Sequence, residues 1–165
     1  MSKRPIITLS FTKADQVLEY AGYLLWLLFW GMVIWMYPLL PEEIPIHFNG
    51  VGEADGFGSK DTIFLTPIIA TFLVLLLSML ERNPENFNYT VEITEENAPR
   101  QYLLGVRMMR WMKLLLIVLF MAIDYFTMQV SLGKREGLGA WFLPVTLGIL
   151  FIVIAVTIYE SKKKK

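Results

Sequence analysis

Cysteine is absent from the chain, and histidine occurs once, as His47. Without thiols there is no disulfide, no thiolate nucleophile and no cysteine metal site. A single imidazole leaves no route to a multi-histidine metal centre. Charge is also scarce. Asp, Glu, Lys and Arg make up 18% of residues, against about 25% in an ordinary soluble domain. They are missing altogether from residues 20–37, 62–80 and 137–159, and residues 114–133 carry only Asp124. There is no internal repeat, and no low-complexity tract longer than the four lysines at 162–165. No Ser/His/Asp constellation or other nucleophile–base pairing stands out, so we expect neither an enzyme nor a cofactor. Direct nucleic-acid binding is not expected either.

What is present is apolar: 55% of the 165 residues are hydrophobic, concentrated in four blocks. A helix of roughly 20 apolar residues matches a hydrocarbon core of about 30 Å. The expected fold is therefore all-α and integral to a membrane, with four transmembrane helices. Twelve of the fifteen Lys and Arg lie in the N-terminus, in 81–113 and in the C-terminus, and only Lys60, Lys134 and Arg135 fall in the two other loops. The positive-inside rule then puts both termini in the cytoplasm and the 38–61 loop outside. As one membrane domain over 1–165, the chain divides into a cytoplasmic segment 1–19, span 20–37, external loop 38–61 and span 62–80. A cytoplasmic loop and helix start at 81–110 follows, then span 111–130, external turn 131–138, span 139–159 and basic tail 160–165. The first span lacks a small-x-small cleavage site after it and reads as a retained helix.

The external loop holds Pro38, Pro41 and Pro45, which fix φ and remove amide donors. Its second half holds Gly50, Gly52, Gly56 and Gly58, which favour tight turns. Such a loop is specified rather than a disordered spacer. His47, Asn49, Glu53 and Asp55 form its best polar cluster. His47, Glu53 and Asp55 are weak metal candidates, set against a hydrogen-bonded structural cluster, because their spacing fits no established signature. Phe48 and Phe57 are expected to press the loop onto the helix ends.

Elsewhere, Thr12-Lys13-Ala14-Asp15 resembles a capping box and predicts a helix from about Lys13. Alternation at Ile7, Leu9 and Phe11, and again over 87–93, predicts two short cytoplasmic strands that could pair. Thr94 followed by Glu95 and Glu96 predicts the start of the third helix. Arg107, Arg110 and Lys113 recur at spacing three and are expected to snorkel to anionic headgroups. Met108, Met109, Met112, Met121 and Met128 read as packing residues. Asp124 is the one acid within a span. It is either a functional group, as bilayer acids often are, or an acid reaching up to outer water, to Lys60 or to His47.

The run LPEEIPIHFNGVGEADGFGSK, residues 40–60, resembles the signature LPxxIPxHFnxxGxxDxxGsK of a bacterial membrane domain of largely unknown function, as found in SdpI-type proteins. The motif positions are Pro41, Ile44, Pro45, His47, Phe48, Asn49, Gly52, Asp55, Gly58 and Lys60. Proteins of that type give immunity to a secreted peptide toxin and relay its presence to a transcriptional repressor. The resemblance implies a multi-pass protein of the bacterial plasma membrane that senses or relays a signal through the loop. Its partners would be the bilayer, an exported peptide or protein at the loop, and a cytoplasmic regulator. The competing expectation is a small homo-oligomeric transporter or transport accessory subunit that uses Asp124.

Overall fold

The computed structural model describes residues 4–163. Met1, Ser2 and Lys3, with Lys164 and Lys165 of the basic tail, lie outside the described residues. The elements run α1 Lys13–Met36, β1 Glu43–Phe48, β2 Ala54–Ser59, α2 Leu65–Leu80, α3 Ala98–Ser131 and α4 Phe142–Lys162. Each of the four helices, with its flanking turns, is long and apolar enough to cross a membrane: Lys13–Leu39, Lys60–Leu80, Ala98–Ser131 and Phe142–Lys162. The chain is a multi-pass membrane protein. Consecutive helices run antiparallel, so the β1–β2 hairpin and the 132–141 turn share one end of the bundle, and the described chain ends share the other.

Local chemistry sets the helix limits. Thr12 caps α1 reciprocally: its hydroxyl accepts from the Asp15 amide at 3.2 Å, and Asp15 accepts from the Thr12 amide at 2.9 Å. Pro38 stops α1 at Met36 and turns the chain into a 3-10 turn, Tyr37–Leu39. The start of α3 falls at Ala98, four residues past the expected Thr94. Thr94 and Asn97 close a turn instead, with the Thr94 amide donating to Asn97 at 3.0 Å and the Asn97 amide to Thr94 at 3.3 Å. Pro99, which has no amide to lose, sits in the first helical turn.

α3 is the central helix, against which α1, α2, α4 and β1 all pack. The core runs from Phe29 and Val33 on α1 through Ala70 and Val74 on α2 to Ile117 and Met128 on α3, and Leu40, Ile44 and Ile63 close it at the hairpin end. α4 buries only Phe142 and touches the bundle through α3. Apart from Thr146 and Thr157, its surface from Leu143 to Tyr159 is apolar, as a lipid-facing helix requires.

The strands are not where alternation placed them. Residues 6–11 and 87–93 form no ladder. The two regions do meet, but through side chains: Arg4 donates to the carbonyls of Glu85 at 2.8 Å and Phe87 at 2.6 Å, and the Tyr102 phenol donates to the Pro5 carbonyl at 2.9 Å. A guanidinium thus takes backbone acceptors that a ladder would need. Phe87 and Tyr89 stack together, and Tyr89 lies 5.6 Å from Tyr102 on α3. That docks the segment without strand pairing, which is marginal for an isolated ribbon. The strands form in the 38–61 loop instead. β1 and β2 pair antiparallel, with irregular register from Pro45 to Phe48, where proline offers no donor to a regular ladder.

Candidate functional site

The hairpin is built from the motif residues. At its tip the Asn49 side-chain oxygen accepts from the amides of Val51 at 3.1 Å and Glu53 at 3.0 Å, and the Gly52 amide closes onto the Asn49 carbonyl at 2.9 Å. Gly52 has φ +83°. A β-carbon there would stand 2.6 Å from the Gly139 nitrogen, and one on Gly137 would stand 2.1 Å from the Gly52 oxygen. Leu138 donates to that same Gly52 oxygen at 2.7 Å. The tip is therefore clamped, backbone to backbone, onto the α3–α4 turn.

The base is fixed as firmly. Ile44 and Pro45 are buried, and Pro41 stands exposed just past the 3-10 turn. Lys60 donates to the Glu42 carboxylate at 2.8 Å, and its amide donates to the Glu42 carbonyl at 3.0 Å. The Tyr37 phenol donates to Asp61, and its ring packs 4.9 Å from Phe64. Gly58 leaves room for the Ile46 side chain, which approaches to 3.1 Å of where a β-carbon would be.

One polar pair of the motif is left at the surface. His47 Nδ1 meets Asp55 Oδ1 at 2.5 Å, with the two side chains 70% and 44% exposed. Ile46, Val51 and Phe57 are exposed on the same hairpin. Phe57 is 55% exposed, so it does not press onto the helix ends as expected; Phe48, half-buried, is the closer of the two to that role. Glu53 is not part of the His47–Asp55 pair, because Asn49 holds its carboxylate at 3.0 Å. Among the described residues no three His, Asp or Glu side chains gather in a way that could hold a metal.

Asp124 does not reach outer water, Lys60 or His47. It is 2% exposed, between α3 and α2, with Thr66 Oγ1 at 2.5 Å from Oδ2. The Thr66 hydroxyl lies also 3.3 Å from the Ile63 carbonyl, so a single proton is shared between two acceptor directions. Lys60 is paired with Glu42 instead.

Arg107, Arg110 and Lys113 do not snorkel. They turn inward to an ionic cluster at the end of the bundle away from the hairpin. Arg107 forks onto Asp15 at 2.6 and 3.0 Å. Arg110 donates to the Asp15 carbonyl at 2.8 Å, faces Glu19 at 3.1 Å and Glu81 at 3.6 Å, and lies 4.3 Å over the Phe11 ring. Lys113 donates to Glu19 at 2.8 Å, Ser78 at 2.9 Å and Glu81 at 3.2 Å. Burial pushes the Glu81 carboxyl up from the ordinary carboxylate range, against the pull of Lys113. Three acids on α1 and at the end of α2 thus balance three bases on α3. The sequence carried one signal for this: Asp15 and Glu19 sit four residues apart on α1, and so share a face with each other as the bases do on α3.

With this geometry in view, the comparisons with known proteins are informative over one region. Residues 24–71 match the family model Domain of unknown function (DUF1648). That stretch is the second half of α1, the whole hairpin and the beginning of α2. An "Uncharacterized protein" of Archaeoglobus fulgidus is 38% identical over 56 residues, covering 29% of this chain and 31% of the relative. The aligned region thus spans about a third of that relative's length. No solved structure matches the chain.

Proposed function

We propose that the chain is a sensing or signal-relay protein whose outward-facing hairpin meets an exported peptide or protein. The carrying observation is the division of labour within the hairpin. Asn49, Gly52, Ile44, Gly58 and Lys60 hold its shape, while His47 and Asp55 stand exposed beside Ile46 and Phe57. A rigid frame presenting a charged-polar pair next to apolar side chains suits recognition of a partner at low ordering cost. In this reading the protein lies in a bacterial plasma membrane with both termini in the cytoplasm, as its Lys and Arg distribution favours. Residues 6–11 and 87–100 would then face a cytoplasmic regulator. Immunity to a secreted peptide, by resemblance to SdpI-type proteins, is the specific form proposed. No catalytic role is proposed for any residue.

The test is a host strain that depends on the protein for resistance or reporter output. His47→Ala and Asp55→Ala should reach the membrane at normal levels yet lose that output. Retention of full output by both would overturn the reading.

One observation favours a second reading. Asp124 is buried between two helices with Thr66 as its polar partner, and intramembrane acids often mark ion or proton paths. A homo-oligomeric transporter or transport subunit would need this group. Flux in proteoliposomes lost in Asp124→Asn would support it, and equal flux in the variant would exclude a coupling role.

A further inference from the structure

A cleft of about 380 Å³ opens at the termini end, between residues 86–90, the first turns of α3 and the last turns of α4. Ligand sites commonly run from about 300 to 1,000 Å³. Its lining has two parts. Leu104, Met108 and Met109 give it an apolar wall, toward the middle of the bundle, while Asn86, Asn88 and Gln101 give it a polar mouth. Among the described residues no charged side chain lines it, although the exposed Lys162 follows Ser161 at its rim. The nearest guanidinium groups are already engaged: Arg4 on the Glu85 and Phe87 carbonyls, Arg100 on the Lys163 carbonyl at 2.9 Å and on the Glu160 carbonyl. Burial pushes the Tyr89 phenol up from its usual range, and like any phenol it is uncharged at physiological pH.

One polar atom is left over. Gln101 is 3% exposed, and its amide nitrogen donates to the Ser161 carbonyl at 2.8 Å, which fixes the orientation of the group. Its Oε1 is buried and accepts nothing from the described residues. The neighbouring hydroxyls cannot serve it, because Thr90 and Ser161 bond each other at 3.0 Å and Ser161 lies 2.9 Å from the Ile158 carbonyl. A buried acceptor without a donor is costly, and a ligand hydroxyl would remove that cost.

We propose that this cleft binds a neutral lipid with free hydroxyls, of the monoacylglycerol class. The acyl chain would lie along Leu104, Met108 and Met109, and a glycerol hydroxyl would donate to Gln101 Oε1. A phosphate headgroup is disfavoured, since its charge would be set against the buried Gln101 acceptor, which needs a donor. The proposal is independent of the hairpin's role.

The full-length protein, in nanodiscs of phosphatidylcholine and phosphatidylglycerol, is photolabelled with monooleoylglycerol carrying a diazirine in its acyl chain. Labels should concentrate on residues 104–109 and 157–161. Unlabelled monooleoylglycerol should compete and oleoyl lysophosphatidate should not. Gln101→Leu should weaken labelling roughly tenfold, the loss expected for one buried hydrogen bond to ligand. Met108→Trp, which fills the apolar wall, should remove it while thermal unfolding stays cooperative, so the test survives even if Gln101→Leu folds poorly. His47→Ala should label like the parent. Labels spread evenly around the four helices, equal competition by lysophosphatidate, or full labelling of Met108→Trp would each overturn the proposal.

Discussion

At Gly52 a single missing atom decides the position of the whole hairpin. Its φ of +83° is strained for any residue with a side chain, and the space a β-carbon needs is filled by the Gly139 backbone. Backbone cannot swing aside as a flexible side chain can. Gly52→Ala is therefore expected to cost about 2 kcal/mol or more, summing left-handed strain and overpacking, and to free the tip from the α3–α4 turn. Limited proteolysis within residues 49–53 should rise in the variant; unchanged protection would mean the clamp is not what orders the tip. Asn49 acts at the same scale by a different route. Its side chain satisfies two turn amides, so Asn49→Ala should lose roughly 1–2 kcal/mol, and Asn49→Asp, which keeps the acceptor, should lose less once Glu53→Gln removes the carboxylate that Asn49 holds.

At the scale of elements, the ionic cluster joins the same three helices that the core joins. Glu19 is the closer acid to both cations, with Arg110 at 3.1 Å and Lys113 at 2.8 Å, against 3.6 and 3.2 Å for Glu81. Removing it leaves two buried cations against Glu81 alone, and breaking a buried pair by deleting one partner typically costs about 3–5 kcal/mol. Glu19→Ala should lower the detergent melting temperature sharply. Lys113→Met on that background should restore part of the loss, because one orphaned charge disappears with it; no recovery in the double variant would show that the two are not coupled. Glu81 behaves differently. Its folded pKa is raised by burial, so the fold favours the protonated acid, and this contribution is present below the unfolded pKa and lost as pH rises through the folded one. Against Glu19, Arg110, Lys113 and Ser78, Glu81→Gln should be nearly neutral at low pH and flatten the decline in stability on the alkaline side.

These same elements explain what could and could not be read in advance. The four apolar helices, the Thr12 capping box and the stop at Pro38 were legible because each rests on a local signal. The hairpin was legible as an ordered loop but not as strands, because β1 and β2 carry two of their kind's worst formers, proline and glycine. Their tip meets the α3–α4 turn some 85 residues away, a contact no local pattern announces. The His47–Asp55 pair was named as part of a cluster, and the structure brings the two together. The inward turn of Arg107, Arg110 and Lys113 was hidden for a similar reason. Spacing shows that three bases share a face, but not whether that face meets lipid headgroups or the acids of a neighbouring helix.

For the molecule as a whole, α3 supplies the scale bar. Its 34 residues extend about 51 Å, well beyond a hydrocarbon core of about 30 Å. Lys113 meets Ser78 and Glu81 at the end of α2, so the turns of α3 before Lys113 project past α2 and carry the Tyr102 contacts and the uncharged cleft with them. The hairpin closes the opposite end, where Gly52 meets the α3–α4 turn. If the charge distribution sets orientation, these two ends face opposite solutions, and the absence of native cysteine makes this directly measurable. Single cysteines at Ser59 and at Glu95, both on exposed positions, leave every buried ion pair intact. A membrane-impermeant maleimide added to intact cells should label Ser59→Cys at once and Glu95→Cys only after permeabilisation. The reverse pattern would place the hairpin in the cytoplasm, where an exported peptide could not reach it, and the sensing proposal would fall with it. Labelling of both from one side would mean that the four helices do not alternate across the bilayer.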